Sequence, residues 1–111
     1  MEWDIEYTWE ILNQGEQEEV GAVVSLLEKR GPQLPYPYSS GINSSKHNHM
    51  RELRIQHKGD PYRVLYAFDP RRFAILLLGG NKVGNEDWYD EKVPIADKLY
   101  DIHLKEIKKG T

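Results

Sequence analysis

Basic and aromatic side chains that could act on a phosphate lie in or near the middle third of this 111-residue chain. Residues 46–82 hold eight lysines and arginines against three acids, although the whole chain has a formal net charge of −3. Arginine offers a planar fork of donors that suits phosphate oxygens, and histidine exchanges protons near neutral pH. The basic stretch is therefore either a phosphate-binding surface or a solvated face of a sheet. The candidate site residues are Arg54, Arg63, Lys82, Tyr89, His49 and His57.

Strand alternation predicts that the two arginines share one face of a sheet. If an even-numbered loop joins strands 50–57 and 62–68, with Gln56 opposite Arg63, then Arg54 lies on the same face as Arg63. Leu53, Ile55, Val64 and Tyr66 then lie on the other face, packed against helices. Two guanidinium groups on an open, water-facing surface could stabilise a phosphorane-like transition state. Alternatively, they are solvated partners of nearby acids such as Glu52.

The remaining donors and acid–base candidates near this face are less specific. A histidine, or a lysine whose pKa is lowered by its surroundings, could remove a proton from a ribose 2′-hydroxyl. Tyr89 could stack on a nucleobase, a contact of about 1–3 kcal/mol, whereas its neighbour Trp88 suits the core. In the alternative interpretation these side chains are the polar residues expected of loops and turns. The candidates of this kind are Lys46, His47, His49, His57 and Lys82.

Several kinds of chemistry are excluded or disfavoured. The absence of cysteine excludes a disulfide scaffold, a zinc finger and a cysteine nucleophile. Residues 79–84 do not follow the order of a phosphate loop, and His47 and His49 alone are a poor metal site. We therefore expect neither cofactor nor metal. The apolar run Ala74–Leu78 is far short of the ~20 residues of a membrane span, and Met1–Asp4 do not resemble a signal peptide, so we expect a cytoplasmic protein.

The elements that must position these residues are those of one α+β domain over residues 1–111. The last strand is apolar throughout, which predicts a central strand with both faces covered. Between helix and meander, a loop of about 17 residues rich in proline and serine is expected. The predicted elements are a strand at 3–8, a helix at 16–30, a loop at 32–48, antiparallel strands at 50–57, 62–68 and 73–78, and a helix at 94–109 with Pro94 in its first turn.

Three segments of the chain resemble the HigB-type, phage-derived branch of the RelE/ParE toxin superfamily. They are HMRELRIQ (49–56), PYRVLYAFDPRR (61–72) and ILLLGGNK (75–82), and the resemblance extends through Trp88-Tyr89 to cover roughly residues 1–107. It implies a small fold with a largely antiparallel sheet of about four strands and helices packed on one face. It also implies the toxin of a type II toxin–antitoxin module, a metal-independent endoribonuclease that cleaves translated mRNA, usually on the ribosome. The implied partner is a cognate helix-turn-helix antitoxin.

The resemblance implies roles for individual residues. Arg63 matches the arginine of a tyrosine-arginine strand motif and Arg54 a basic position on the neighbouring strand, so both would stabilise charge on the phosphate. Lys82 or a loop histidine would assist proton transfer, and Tyr89 would position a base. Glu52 departs from the family pattern, because the best-known members have a basic residue there. It could act as a base or simply pair with Arg54.

Two other functions stay open on sequence grounds. Relatives related to ParE inhibit gyrase with the same scaffold, so the chain could be a non-nuclease toxin, or a decayed one, that works through protein–protein binding. A housekeeping domain with a solvated basic sheet is the plainest alternative.

Overall fold

The computed structural model describes residues 5–7 and 14–110, which form one sheet of five strands and two long helices. In chain order the elements are β1 (Ile5–Tyr7), α1 (Gln14–Arg30), β2 (Ser39–Gly41), β3 (Arg51–His57), β4 (Asp60–Phe68), β5 (Ala74–Asn81) and α2 (Trp88–Lys109), with a 3₁₀ turn at Gly31–Gln33. The α+β class is confirmed. The outer residues of the predicted first strand, at 3, 4 and 8, lie outside the described part.

The strand order across the sheet is β1-β5-β4-β3-β2, with β1 parallel to β5 and all other neighbours antiparallel. β5 therefore has a neighbour on each side, as its apolar composition predicts. The sheet has five strands rather than about four because the predicted loop 32–48 contributes β2. The short segment Ser39–Gly41 has no apolar alternation, and it becomes a strand only through its pairing with β3.

The two helices pack on opposite faces of the sheet, and not on one face as the resemblance implies. Val20, Val24 and Leu27 of α1 pack on a face formed by side chains such as Val64 and Leu76. On the other face, α2 packs through Trp88, Val93, Ala96 and Tyr100 onto Leu65, Ile75 and Leu77. Since β4 and β5 are apolar at successive positions, both of their faces must be covered, and one helix cannot cover both.

The β3–β4 hairpin turns through two residues, Lys58 and Gly59, whose φ angles are 52° and 83°. Positive φ at both positions matches the right-handed twist of the strands and is the usual geometry of a two-residue hairpin. The predicted pairing of Gln56 with Arg63 is wrong by two residues, because Arg54 lies directly opposite Arg63. A shift of two preserves parity, so the predicted division of side chains between the faces is confirmed.

Both helices begin earlier than predicted. α1 starts at Gln14 and ends at Arg30, as the Gly31-Pro32 signal indicates. α2 starts at Trp88, so Pro94 lies inside the helix and not in its first turn. The Asn85 side chain favours the earlier start, because it accepts a hydrogen bond from the Asp87 amide and donates one to Glu91. Neither helix, over its described residues, is long and apolar enough to cross a membrane.

Candidate active site

Arg54 and Arg63 face each other across the β3–β4 hairpin, with their Cα atoms in register. Their side chains lie on the sheet face that α2 covers farther along, because the neighbouring Leu53, Ile55 and Val64 point into the core beneath α1. The prediction that the two arginines share one face is confirmed.

The Glu52 carboxylate is the centre of this cluster. Its Oε1 accepts a hydrogen bond of 2.5 Å from the Tyr89 hydroxyl, and its Oε2 accepts one of 2.6 Å from the Ser40 hydroxyl. Oε1 also lies 3.3 Å from Arg63 Nε, and Oε2 lies 3.5 Å from Arg54 Nη1. Glu52 thus connects β2, β3, β4 and the first turn of α2, and we call these five side chains the Glu52 cluster.

Burial distinguishes the two arginines. Arg63 is only 5% exposed, so the expectation that both guanidinium groups lie on an open surface is wrong for this one. Its Nη1 donates to the Tyr62 carbonyl at 2.8 Å. Its Nε is an ion-pair partner of Glu52 by distance, but its N–H is not aligned for a hydrogen bond and has no other acceptor among the described residues. The Arg54 side chain is 28% exposed and reaches solvent.

Lys82 adds a third basic side chain beside the Glu52 cluster, where it contacts Tyr89. The Lys82 ammonium lies 5.5 Å from the centre of the Tyr89 ring, a cation–π contact. Burial, followed by the hydrogen bond to Glu52 and the charge of that residue, raises the pKa of Tyr89 above its ordinary value, although Arg63 acts in the opposite direction. The phenol is therefore protonated at neutral pH and acts as a donor.

The two candidate histidines lie elsewhere. His57 follows Ile55 on the α1 face, where its ring packs edge-on against Tyr62 at 5.6 Å. His49 precedes β3 and contacts the Tyr100 hydroxyl of α2 at 3.2 Å, five residues before Arg54. The expectation that these histidines lie near the arginine pair is therefore wrong, since strand alternation turns one away and the length of β3 separates the other.

Lys46 and His47, the other candidates of the loop, pair with α2 instead. Both contact the Asp101 carboxylate, and Ser45 donates to Asp97 at 2.5 Å. The Asp101 carboxylate forms a direct ion pair with the Lys46 ammonium and also contacts His47. This pairing, and not burial, makes the two side chains less available for chemistry elsewhere. These contacts explain the basic loop residues as attachments of the loop to the helix.

A second ionic cluster joins β1, the β4–β5 turn and α2. Glu6, Asp69 and His103 place one ligand atom each within 4.8 Å of one another, a spacing that could hold a metal ion. However, the Arg71 guanidinium contacts Glu6 at 2.5 Å and Asp69 at 2.7 Å, so these carboxylates already have a cation of the protein between them. We therefore interpret the cluster as an ion-pair network that fixes the turn.

One exposed aromatic residue beside the Glu52 cluster was not a sequence candidate. Tyr36 lies over the Arg54 guanidinium, with 5.1 Å from the carbon of that group to the ring centre. Its position in a loop rich in proline and tyrosine gave no periodic signal. The only sequence cue was the presence of aromatic residues in a polar loop of unusual length.

Comparison with known proteins places this chain in a family. Residues 8–101 match the family described as "Phage derived protein Gp49-like". The chain is 42% identical over 91 residues to "Putative toxin HigB2" and 47% identical over 88 residues to "Putative toxin HigB3", both of Mycobacterium tuberculosis. No solved structure matches the chain at a significant level.

The chain therefore belongs to the Gp49-like family of phage-derived proteins, and its resemblance to HigB-type proteins is confirmed. The two alignments cover 80% and 78% of this chain. They cover 45% of HigB2 and 75% of HigB3, so the chain spans less than half the length of the first relative.

Proposed function

We propose that this protein is the toxin of a type II toxin–antitoxin module and that it cleaves mRNA at the Glu52 cluster without a metal ion. The observation that carries the proposal is the convergence of Arg54, Arg63 and Lys82 with Tyr89 on one sheet face. Both named relatives are described as toxins, which supports the toxin role and, with it, a cognate antitoxin. We further propose a helix-turn-helix antitoxin, a cytoplasmic location and translated transcripts as substrate, which the ribosome presents in single-stranded form to a site that also cuts free single-stranded RNA.

The reaction proposed is an internal transesterification. The ribose 2′-oxygen attacks the adjacent phosphorus, the bond from phosphorus to the 5′-oxygen of the next nucleotide breaks, and a 2′,3′-cyclic phosphate forms. The 2′-hydroxyl gives its proton to a water molecule of the solvent-open site, and the departing 5′-oxygen takes one from the Lys82 ammonium, which solvent then restores. The transition state gathers negative charge on the phosphate oxygens, so fixed cations that contact those oxygens lower its free energy.

We propose a separate role for each side chain of the site. Arg54, which reaches solvent, is the guanidinium that contacts the phosphate, and Arg63 behind it holds Glu52 in place. Lys82, whose side-chain nitrogen lies over the Tyr89 ring, is the proposed proton donor to the departing oxygen. Tyr89 is protonated and donates to Glu52, so it is not the base. We leave His49 and His57 out of the proposed site because neither lies beside the arginines.

Growth arrest and transcript cleavage test the proposal together. Expression of the wild type should arrest growth and cut transcripts, whereas Arg54→Ala and Lys82→Ala should each lose about 10²–10³-fold of the cleavage rate, as removal of a transition-state donor does elsewhere. Lys105→Ala, which removes an exposed lysine on α2, is the matched control and should cleave like the wild type. If both variants fold and cleave at the wild-type rate, the assignment is wrong.

One feature favours a second candidate function. Glu52 already occupies the two arginines, so a protein that works only by binding another protein would also present this arrangement. Such a toxin should arrest growth and leave transcripts intact, and a gyrase inhibitor should cause DNA damage. Arg63→Ala is a poor discriminator, because it leaves the buried Glu52 carboxylate without its buried partner.

A further inference from the structure

Tyr36 is a large aromatic side chain held open to solvent at the edge of the Glu52 cluster. It is 69% exposed, and it lines a groove between α1 and β3, with Glu19 and Val23 on the helix side and Arg54, Gln56 and Arg63 on the sheet side. The groove runs along the edge of β3, where β2 has ended. An exposed aromatic ring beside a solvent-reaching arginine, here Arg54, is an arrangement with which proteins hold single-stranded nucleic acid.

The turn that carries Tyr36 is fixed at both ends. Proline precedes and follows the tyrosine, which restricts the backbone. The Pro35 carbonyl accepts hydrogen bonds from the amides of Tyr38 and Ser39, and the Tyr38 carbonyl accepts one of 2.9 Å from the Arg54 amide. The turn that carries the ring is therefore hydrogen-bonded to β3, the strand that carries Arg54. Because this turn is already ordered, binding of a ligand to the ring costs little conformational entropy.

The guanidinium of Arg54 covers one side of the Tyr36 ring at 5.1 Å. Because the side chain is largely exposed, its other side is available to a planar ligand. Tyr89, to which the resemblance gives the base-contacting role, is more fully engaged. Its hydroxyl is bound to Glu52, its edge meets Trp88 at 5.2 Å between ring centres, and Lys82 lies over its ring.

We propose that Tyr36 is the base-stacking residue of this site, holding a nucleobase of single-stranded RNA so that the attached phosphate reaches Arg54. This inference rests on the proposed ribonuclease function and adds a positioning residue for its substrate. Every base has a flat face, so the contact contributes affinity without strong selection among the bases.

The test uses a short RNA oligonucleotide and four forms of the protein: the wild type, Tyr36→Ala, Tyr36→Phe and Ile102→Ala. The alanine variant should lower kcat/KM about 10–100-fold, mainly by raising KM, as loss of one stacked base predicts. The phenylalanine variant keeps the ring and should retain wild-type kinetics. Ile102→Ala removes an exposed apolar side chain of α2 and should also behave like the wild type.

An abasic nucleotide placed at each position of the RNA in turn adds a readout that a structural role would not affect. At one position the abasic substitution should lower kcat/KM of the wild type. At the same position it should not lower kcat/KM of Tyr36→Ala any further. The inference is overturned if Tyr36→Ala cleaves with wild-type KM, if Tyr36→Phe is equally impaired, or if no position shows this non-additivity.

Binding of the all-deoxy oligonucleotide, measured by fluorescence anisotropy, separates this inference from the proposed function. If the wild type does not cleave RNA, the ribonuclease proposal fails. The stacking role still stands if Tyr36→Ala binds the deoxy oligonucleotide about tenfold more weakly or worse than Tyr36→Phe does. Equal binding by the two variants, or no binding by the wild type, overturns it.

Discussion

Replacing Glu52 by alanine removes the carboxylate that faces two cations and two hydroxyl donors. The dominant loss is at Arg63, because both side chains of that pair are 6% exposed and a buried guanidinium would be left without its counter-charge. Breaking a buried ion pair from one side costs about 3–5 kcal/mol. Arg54 adds little, since its contact with Glu52 is 3.5 Å long and its side chain is 28% exposed. Glu52→Gln keeps only one acceptor oxygen and no counter-charge for Arg63, so it should cost nearly as much as the alanine change, about 2–4 kcal/mol.

Urea unfolding followed by circular dichroism gives these free energies. Glu106→Ala, at an exposed glutamate of α2, is the control and should change stability by no more than about 0.5 kcal/mol. The double variant Glu52→Ala/Arg63→Met should be more stable than Glu52→Ala alone, because it no longer buries an unpaired cation. The reasoning is refuted if Glu52→Ala lowers the free energy of unfolding by less than about 1 kcal/mol. It is also refuted if the double variant loses as much stability as Glu52→Ala and Arg63→Met lose when their separate effects are added.

Three further predictions concern the scaffold. Burial raises the pKa of Asp69, but hydrogen bonds from His103 and Arg71 outweigh burial and hold that pKa below its ordinary value. The ionised carboxylate therefore stabilises the fold above about pH 4. In an acid-unfolding series, the stability lost in Asp69→Asn should be large near neutral pH and shrink as pH falls below about 4. Gly59→Ala, at φ 83°, should cost about 1–2 kcal/mol in urea unfolding, and no loss would exclude the assigned turn. Asp97→Ala should cost about 1–3 kcal/mol and speed amide exchange at Ser45–His47, whereas unchanged exchange would contradict the proposed anchoring.

The sequence predicts the helices and strands well where apolar periodicity or turn residues mark them. Helix α1 and strands β3, β4 and β5 lie within a few residues of their predicted bounds, because α1 follows the helical period and turn residues separate the three strands. The pattern carries no signal for β2, whose three residues pair with β3 only once the sheet has formed. The sequence misses the start of α2 because Pro94 is typical of a first turn, whereas the Asn85 side chain orders the chain ahead of Trp88 through the Asp87 amide and Glu91.

The candidate site is predictable only where strand parity decides it. Parity places Arg54 and Arg63 on one face even with the hairpin register wrong by two residues. Burial is not predictable in this way, because the covering of Arg63 depends on how Tyr89 and Glu52 approach from other elements. His49 was misplaced for the related reason that nearness in sequence to β3 does not bring a loop residue to the middle of the strand.

The measurement that tests the central claim most directly is cleavage of a single RNA oligonucleotide with and without a 2′-hydroxyl at the cleaved nucleotide. The purified wild type, with chelator present, should cut the all-ribose strand and leave a 2′,3′-cyclic phosphate and a 5′-hydroxyl. A single 2′-deoxy substitution should abolish that cut, and Arg54→Ala should slow it at the unmodified strand. Cutting of the deoxy-substituted strand at the same position, or 5′-phosphate ends, would contradict transesterification at the Glu52 cluster.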